Sequence, residues 1–99
     1  MTTKLVKVKS ITREDLNLIT ILDIQSETVY DYAEEFFTFN ENAKACFSML
    51  AAHDYTAAEI LGYSKGVQEK IRYRLMIDTL DRLIEDGFII CYTHAEALD

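Results

Sequence analysis

The sequence predicts a mainly helical α+β domain, and three observations carry that prediction. Tyr73, Met76, Ile77, Leu80, Leu83 and Ile84 fall at i, i+3, i+4, i+7, i+10 and i+11, the spacing of one face of a long helix. Residues 4–9 alternate apolar and basic side chains, the pattern of a short strand or an extended arm, and residues 88–93 (FIICYT) are β-branched and aromatic and read as a strand. The chain holds no proline and only three glycines, which predicts continuous elements joined by short turns.

Ninety-nine residues make a single domain, 1–99. Its first part, 1–37, reads as a strand or arm followed by helices, and 38–99 as a second, more regular part. With 49% apolar residues a core is available and disorder is excluded. No apolar run is long enough to span a membrane. The opening MTTKLVKVKS has charges where a signal peptide needs its apolar stretch, so a cytoplasmic location is expected. Two cysteines, Cys46 and Cys91, are too few for a disulfide framework and are expected as buried thiols.

In chain order, Thr12 with Asp15 is a helix-start signal, and Leu16, Ile19 and Leu22 could continue it as a stripe. The β-branched residues of LITILDI make a strand over 16–24 an equal alternative. Ser26 is placed to cap a helix over about 27–37. Thr38 with Glu41 reads as a capping box opening a helix that carries Ala43, Cys46, Phe47 and Leu50 on one face. Thr56 with Glu59 reads as a second box, opening a short helix closed by Gly62, the residue suited to a left-handed terminus. Ser64 can cap the last helix, which Gly87 ends. Phe88 and Ile90 would then bury one face of the final strand.

Residues 43–91, with the run LDRLIEDGFI (80–89), resemble a winged helix-turn-helix domain. The matching order is a core helix (43–52), a short capped helix (56–61), a longer helix, and a strand that starts at the glycine. The resemblance implies a winged-helix-like three-helix core with a short β-strand pair. Two features depart from it. YSKGVQEK (63–70) lies where the family has a few residues, so either the turn carries an insertion or the last helix starts about two turns earlier. Only HAEALD follows the last strand, which leaves no clear wing, and the arm at 4–9 could supply the missing strand partner. In the family the exposed bases of the last helix reach the DNA major groove. By position these would be Arg72, Arg74 and Arg82, with Lys65 and Lys70 for phosphate. Residues 65–74 hold four bases against Glu69, a net of +3. Asp78 and Asp81 interrupt that helix, and pairs such as Asp78–Arg82 would tie the charges internally. Val67, Ile71 and Leu75 form a second stripe, either covered by the N-terminal segment or used as a dimer seam.

Charge is placed unevenly. Residues 1–22 hold four bases against two acids, a net of +2, whereas residues 23–62 hold eight acids against Lys44 alone, a net of −7. Asp23, Glu27, Asp31 and Glu35 recur every four residues, so on a helix they would form one negative ridge, with Glu34 beside it. Such a face repels phosphate and attracts basic protein surfaces. In composition the chain resembles small acidic phage and plasmid inhibitors of nucleic-acid machinery. The expected function is therefore a non-enzymatic regulator or inhibitor that binds a basic, nucleic-acid-handling protein through Asp23, Glu27, Asp31, Glu34 and Glu35. The alternative is a dimeric winged-helix DNA-binding transcription regulator using the helix at 70–85. No cofactor, metal or membrane partner is expected. His53 and His94 lie far apart, and His53 and Asp54, as neighbours on a helix end, should seldom face each other.

Overall fold

The computed structural model describes residues 3–96. Its elements are β1 (Thr3–Val8), a single 3-10 turn (Glu14–Asn17), β2 (Thr20–Asp23), β3 (Thr28–Tyr30), α1 (Ala33–Phe39), α2 (Glu41–Asp54), α3 (Ala57–Gly62), α4 (Lys65–Glu85) and β4 (Ile89–Glu96). The mainly helical α+β class is what forms: four α-helices and an antiparallel sheet. The sheet is larger than the expected strand pair, with four strands in the order β1-β4-β2-β3.

The arm pairs with β4, Val8 opposite Cys91, and β2 pairs with the other side of β4, Ile21 opposite Cys91. Directly opposed residues share a face, so Val8, Cys91 and Ile21 all turn toward the helices. Ile21 and Cys91 are fully buried there, with Ile89 close behind. The expected face of β4 was off by one residue. Ile89 and Cys91 point inward, while Phe88 is 56% exposed. Alternation has period two, so one step exchanges the faces. The step is set by the end of α4. Gly87 takes φ +79°, its N–H donates to the Ile84 carbonyl, and the Phe88 N–H donates to the Leu83 carbonyl. This Schellman turn consumes Phe88 before the strand begins.

The helix expected over 27–37 does not form as one element. Residues 28–30 are a strand, paired Leu22 to Val29 and Ile21 to Tyr30. Asp23 causes the reversal: its Oδ1 accepts from the backbone N–H groups of Gln25 (3.0 Å) and Ser26 (3.2 Å), an Asx turn that competes with helix formation. Glu27 completes the turn at φ 54°. The β-branched Thr28 and Val29 then suit a strand. A helix starts only at Ala33. In 16–24, Thr12 and Asp15 do bond (both contacts 2.9 Å), but they open only the 3-10 turn, and β2 follows.

Asn40, not Thr38, caps α2: its Oδ1 accepts from the Ala43 N–H at 2.9 Å. Thr38 lies within α1 and donates to the Glu34 carbonyl. Thr56 and Ser64 cap α3 and α4 as expected, accepting from the N–H groups of Glu59 and Val67. Gly62 ends α3 without a left-handed φ. Of the two readings of 63–70, the structure takes the longer helix, since α4 begins at Lys65.

The core lies between the helices and the inner sheet face. Met76, Leu80 and Leu83 of α4 meet Phe36 and Phe37 of α1, Leu16, Ile19, Ile21 and Cys91. Tyr73, Ile77 and Ile84 of the predicted stripe pack at its margin, as do Cys46 and Phe47. Among the described residues no helix is long and apolar enough to cross a membrane.

Candidate functional site

The five acidic positions expected to form a ridge are dispersed by the hairpin. Asp23 ends β2 and is buried at 9% exposure. Besides its turn bonds, its Oδ2 accepts from the Asn40 amide at 2.6 Å. Glu27 lies in the turn and Asp31 in the bend after β3. Glu35 accepts from the Asp31 N–H at 2.8 Å, sealing the start of α1. Glu34 is joined to Arg72 of α4 through both carboxylate oxygens, one contact being 2.9 Å. That hydrogen-bonded guanidinium lowers the Glu34 pKa, against an opposing effect of burial. Only Glu27 and Asp31 of the five keep carboxylates without a hydrogen-bond or ion-pair partner among the described residues.

The basic positions divide in the same way. Arg72 is held by Glu34 and touches the Met76 sulfur, so its fork is occupied. Lys65, Lys70, Arg74 and Arg82 are exposed. No Asp78–Arg82 ion pair forms among the described residues. Arg13, far away in sequence, instead stacks on Tyr73 with its guanidinium 3.6 Å from the ring centre, while the Tyr73 hydroxyl donates to Glu69. Leu75 is buried at the seam of α2 and α4, so it cannot belong to an outward dimer stripe. Val67 is exposed and Ile71 half-buried.

His53 and Asp54 do touch, Nδ1 to Oδ1 at 3.0 Å, at the end of α2, contrary to the expectation for adjacent helical residues. The imidazole is 85% exposed. Among the described residues no cluster of three His, Cys, Asp or Glu could hold a metal ion.

Two regions among the described residues combine concavity with apolar side chains on a larger scale. A cavity of about 360 Å³ lies between the β2–β3 turn, the α1–α2 joint and the end of α4. Phe36, Leu83 and Ile89 line it with Asp23, Cys46 and Arg82. Its one thiol is a poor nucleophile: burial raises the Cys46 pKa, although Arg82 acts the other way. Its one buried carboxylate, Asp23, already accepts three hydrogen bonds.

The second region is the helical end formed by α2, α3 and the start of α4. No residue of α3 is buried. Leu61 on it is 78% exposed, and Met49 on the outer side of α2 is 74% exposed. Ala45 and Ala52 are exposed at helical spacing from Met49. Two open clefts of about 330 and 420 Å³ run along the inner side, sharing Ala51 and Ile60. From Ala45 to His53 the helix carries no Asp, Glu, Lys or Arg. That gap in charge was visible in the sequence and was the missed signal, because an exposed helix ordinarily shows a charged face. Asp54 and Glu59 are also exposed on these two helices.

No protein-family model, curated protein or solved structure matches this chain.

Proposed function

We propose that this chain is a small non-enzymatic regulator that binds another protein through its helical end. The observation that carries the reading is α3. It is a six-residue helix with no buried residue, next to an α2 that carries no Asp, Glu, Lys or Arg from Ala45 to His53. A helix so short is marginal in water unless packing supports it. Large exposed side chains such as Met49 and Leu61 are costly to leave wet and suit an anchor set. Exposed Asp54 and Glu59 on the same two helices and the chain's net charge of −7 favour a basic partner, of the kind that handles nucleic acid.

The test is affinity capture from a lysate of the source cells with immobilised protein. Met49→Asp with Leu61→Asp should abolish capture of the partner, with the circular dichroism spectrum unchanged. Asp54→Lys with Glu59→Lys should weaken it and reduce its salt sensitivity. Capture unaffected by Met49→Asp/Leu61→Asp refutes the reading.

A second reading, DNA binding in the manner of a winged helix, is favoured by one observation: Lys65, Lys70 and Arg74 are exposed on the first half of α4. It predicts a salt-sensitive gel shift lost on Lys70→Ala/Arg74→Ala. Arg72 is not expected to contribute, since it is spent on Glu34.

A further inference from the structure

The outward face of α4 carries a single stripe, Val67, Lys70, Arg74, Asp78, Asp81 and Glu85, at steps of three or four residues. All are exposed except Asp81, which is half-exposed and accepts from the Ile11 N–H with one oxygen. Along the stripe the bases come first and the acids last. That order opposes the helix's own dipole, which favours acids at the N-terminus and bases at the C-terminus. Lys70, Arg74, Asp78 and Glu85 have no ion-pair partner among the described residues. These four charges therefore cost the isolated chain something and form no ion pair among the described residues.

We propose that a second copy of this chain packs on α4, with its own α4 antiparallel. An isologous contact requires that where i meets j, j meets i. The stripe satisfies this: Lys70 meets Glu85 of the copy and Arg74 meets its Asp81, and the same pairs recur across the two-fold axis. Asp78 falls near the axis, with Arg74 one turn away on the same stripe to offset its twin. Val67, 41% exposed, reaches past the copy's last turn toward Phe88, 56% exposed. Antiparallel helices also oppose their dipoles favourably. Nucleic acid would suit only the basic half of the stripe and be repelled by the acidic half. A second copy suits both. The surface is separate from Met49 and Leu61, so the dimer does not depend on the proposed function.

Analytical ultracentrifugation of the full chain tests it. At low salt the wild type should populate a dimer that weakens as screening rises. Lys70→Glu alone sets like charges against Glu85, and Glu85→Lys alone sets them against Lys70. Each should raise the dissociation constant at least tenfold. An equimolar mixture of the two variants should restore dimer, as should Lys70→Glu with Glu85→Lys in one chain. Met49→Asp/Leu61→Asp should still dimerise. A monomer at every concentration at low salt overturns the proposal. So does a dimer indifferent to both reversals, or one lost only in Met49→Asp/Leu61→Asp.

Discussion

Arg72 of α4 grips Glu34 of α1 through both nitrogens of its fork, across 38 residues of sequence. The pair ties the first half of α4 to the body of the protein, beyond the part of the helix that the sheet holds. It also converts the residue that the winged-helix resemblance assigns to DNA, and one assigned to an acidic docking face, into a single structural clamp.

The clamp should show in the acid limb of stability. The Glu34 pKa is lowered in the fold, so its contribution is present above the unfolded carboxylate pKa and is lost as pH falls through the folded value. Asp81 has the opposite sign. Burial raises its pKa, with Asp78 adding to this and the Ile11 N–H opposing it. Its ionisation therefore costs stability, which is greatest below the unfolded pKa and is lost as pH rises through the folded one. Glu34→Gln should flatten the decline below about pH 4.5, the ordinary glutamate value. Both side chains of the pair are 45% exposed, so solvent screening holds the loss at neutral pH to about 1 kcal/mol or less. Urea midpoints across the acid range measure it.

Asn40→Ala should be the more damaging change. It removes the cap of α2 and leaves the buried Asp23 carboxylate without its closest donor, at 2.6 Å. A lost cap costs about 1 kcal/mol and an unpaired buried acceptor about 1–3 kcal/mol more. Denaturant unfolding should show a loss of about 2–4 kcal/mol on that basis, whereas Thr38→Ala should be nearly neutral.

Glu27 holds a left-handed conformation, φ 54°, in an exposed turn. Side chains there cost about 1 kcal/mol, and asparagine tolerates the region best after glycine. Glu27→Asn should raise the urea midpoint, a gain of about 0.5–1 kcal/mol. A fall in stability would mean that the glutamate makes a favourable contact.

The two thiols should react very differently. Burial, with Asp81 adding to it, pushes the Cys91 pKa up to about 12, and its side chain is fully inaccessible. Cys46, half-buried at the cavity, is raised less. In native protein at pH 8, iodoacetamide should label Cys46 slowly and Cys91 only through unfolding, read by mass spectrometry. Equal labelling would contradict the packing of β4.

What the sequence determined by itself was whatever depends on near neighbours. The stripe of α4, the caps at Thr56 and Ser64, the stop at Gly87 and the strand character of both ends are set by side chains within a turn or two of one another. The α+β class follows from them. Tertiary structure decided whatever local preference left balanced. The segment 16–37 had helical spacing and β-branched residues together. The vacant side of β4 resolved it, since β2 could pair there and β3 could then fold back on β2 through the Asp23 turn. That pairing dispersed Asp23, Glu27, Asp31 and Glu35 and brought Glu34 to Arg72. A four-residue period describes a ridge only if the backbone is a helix, and whether it is one depends on a strand more than 60 residues further along the chain.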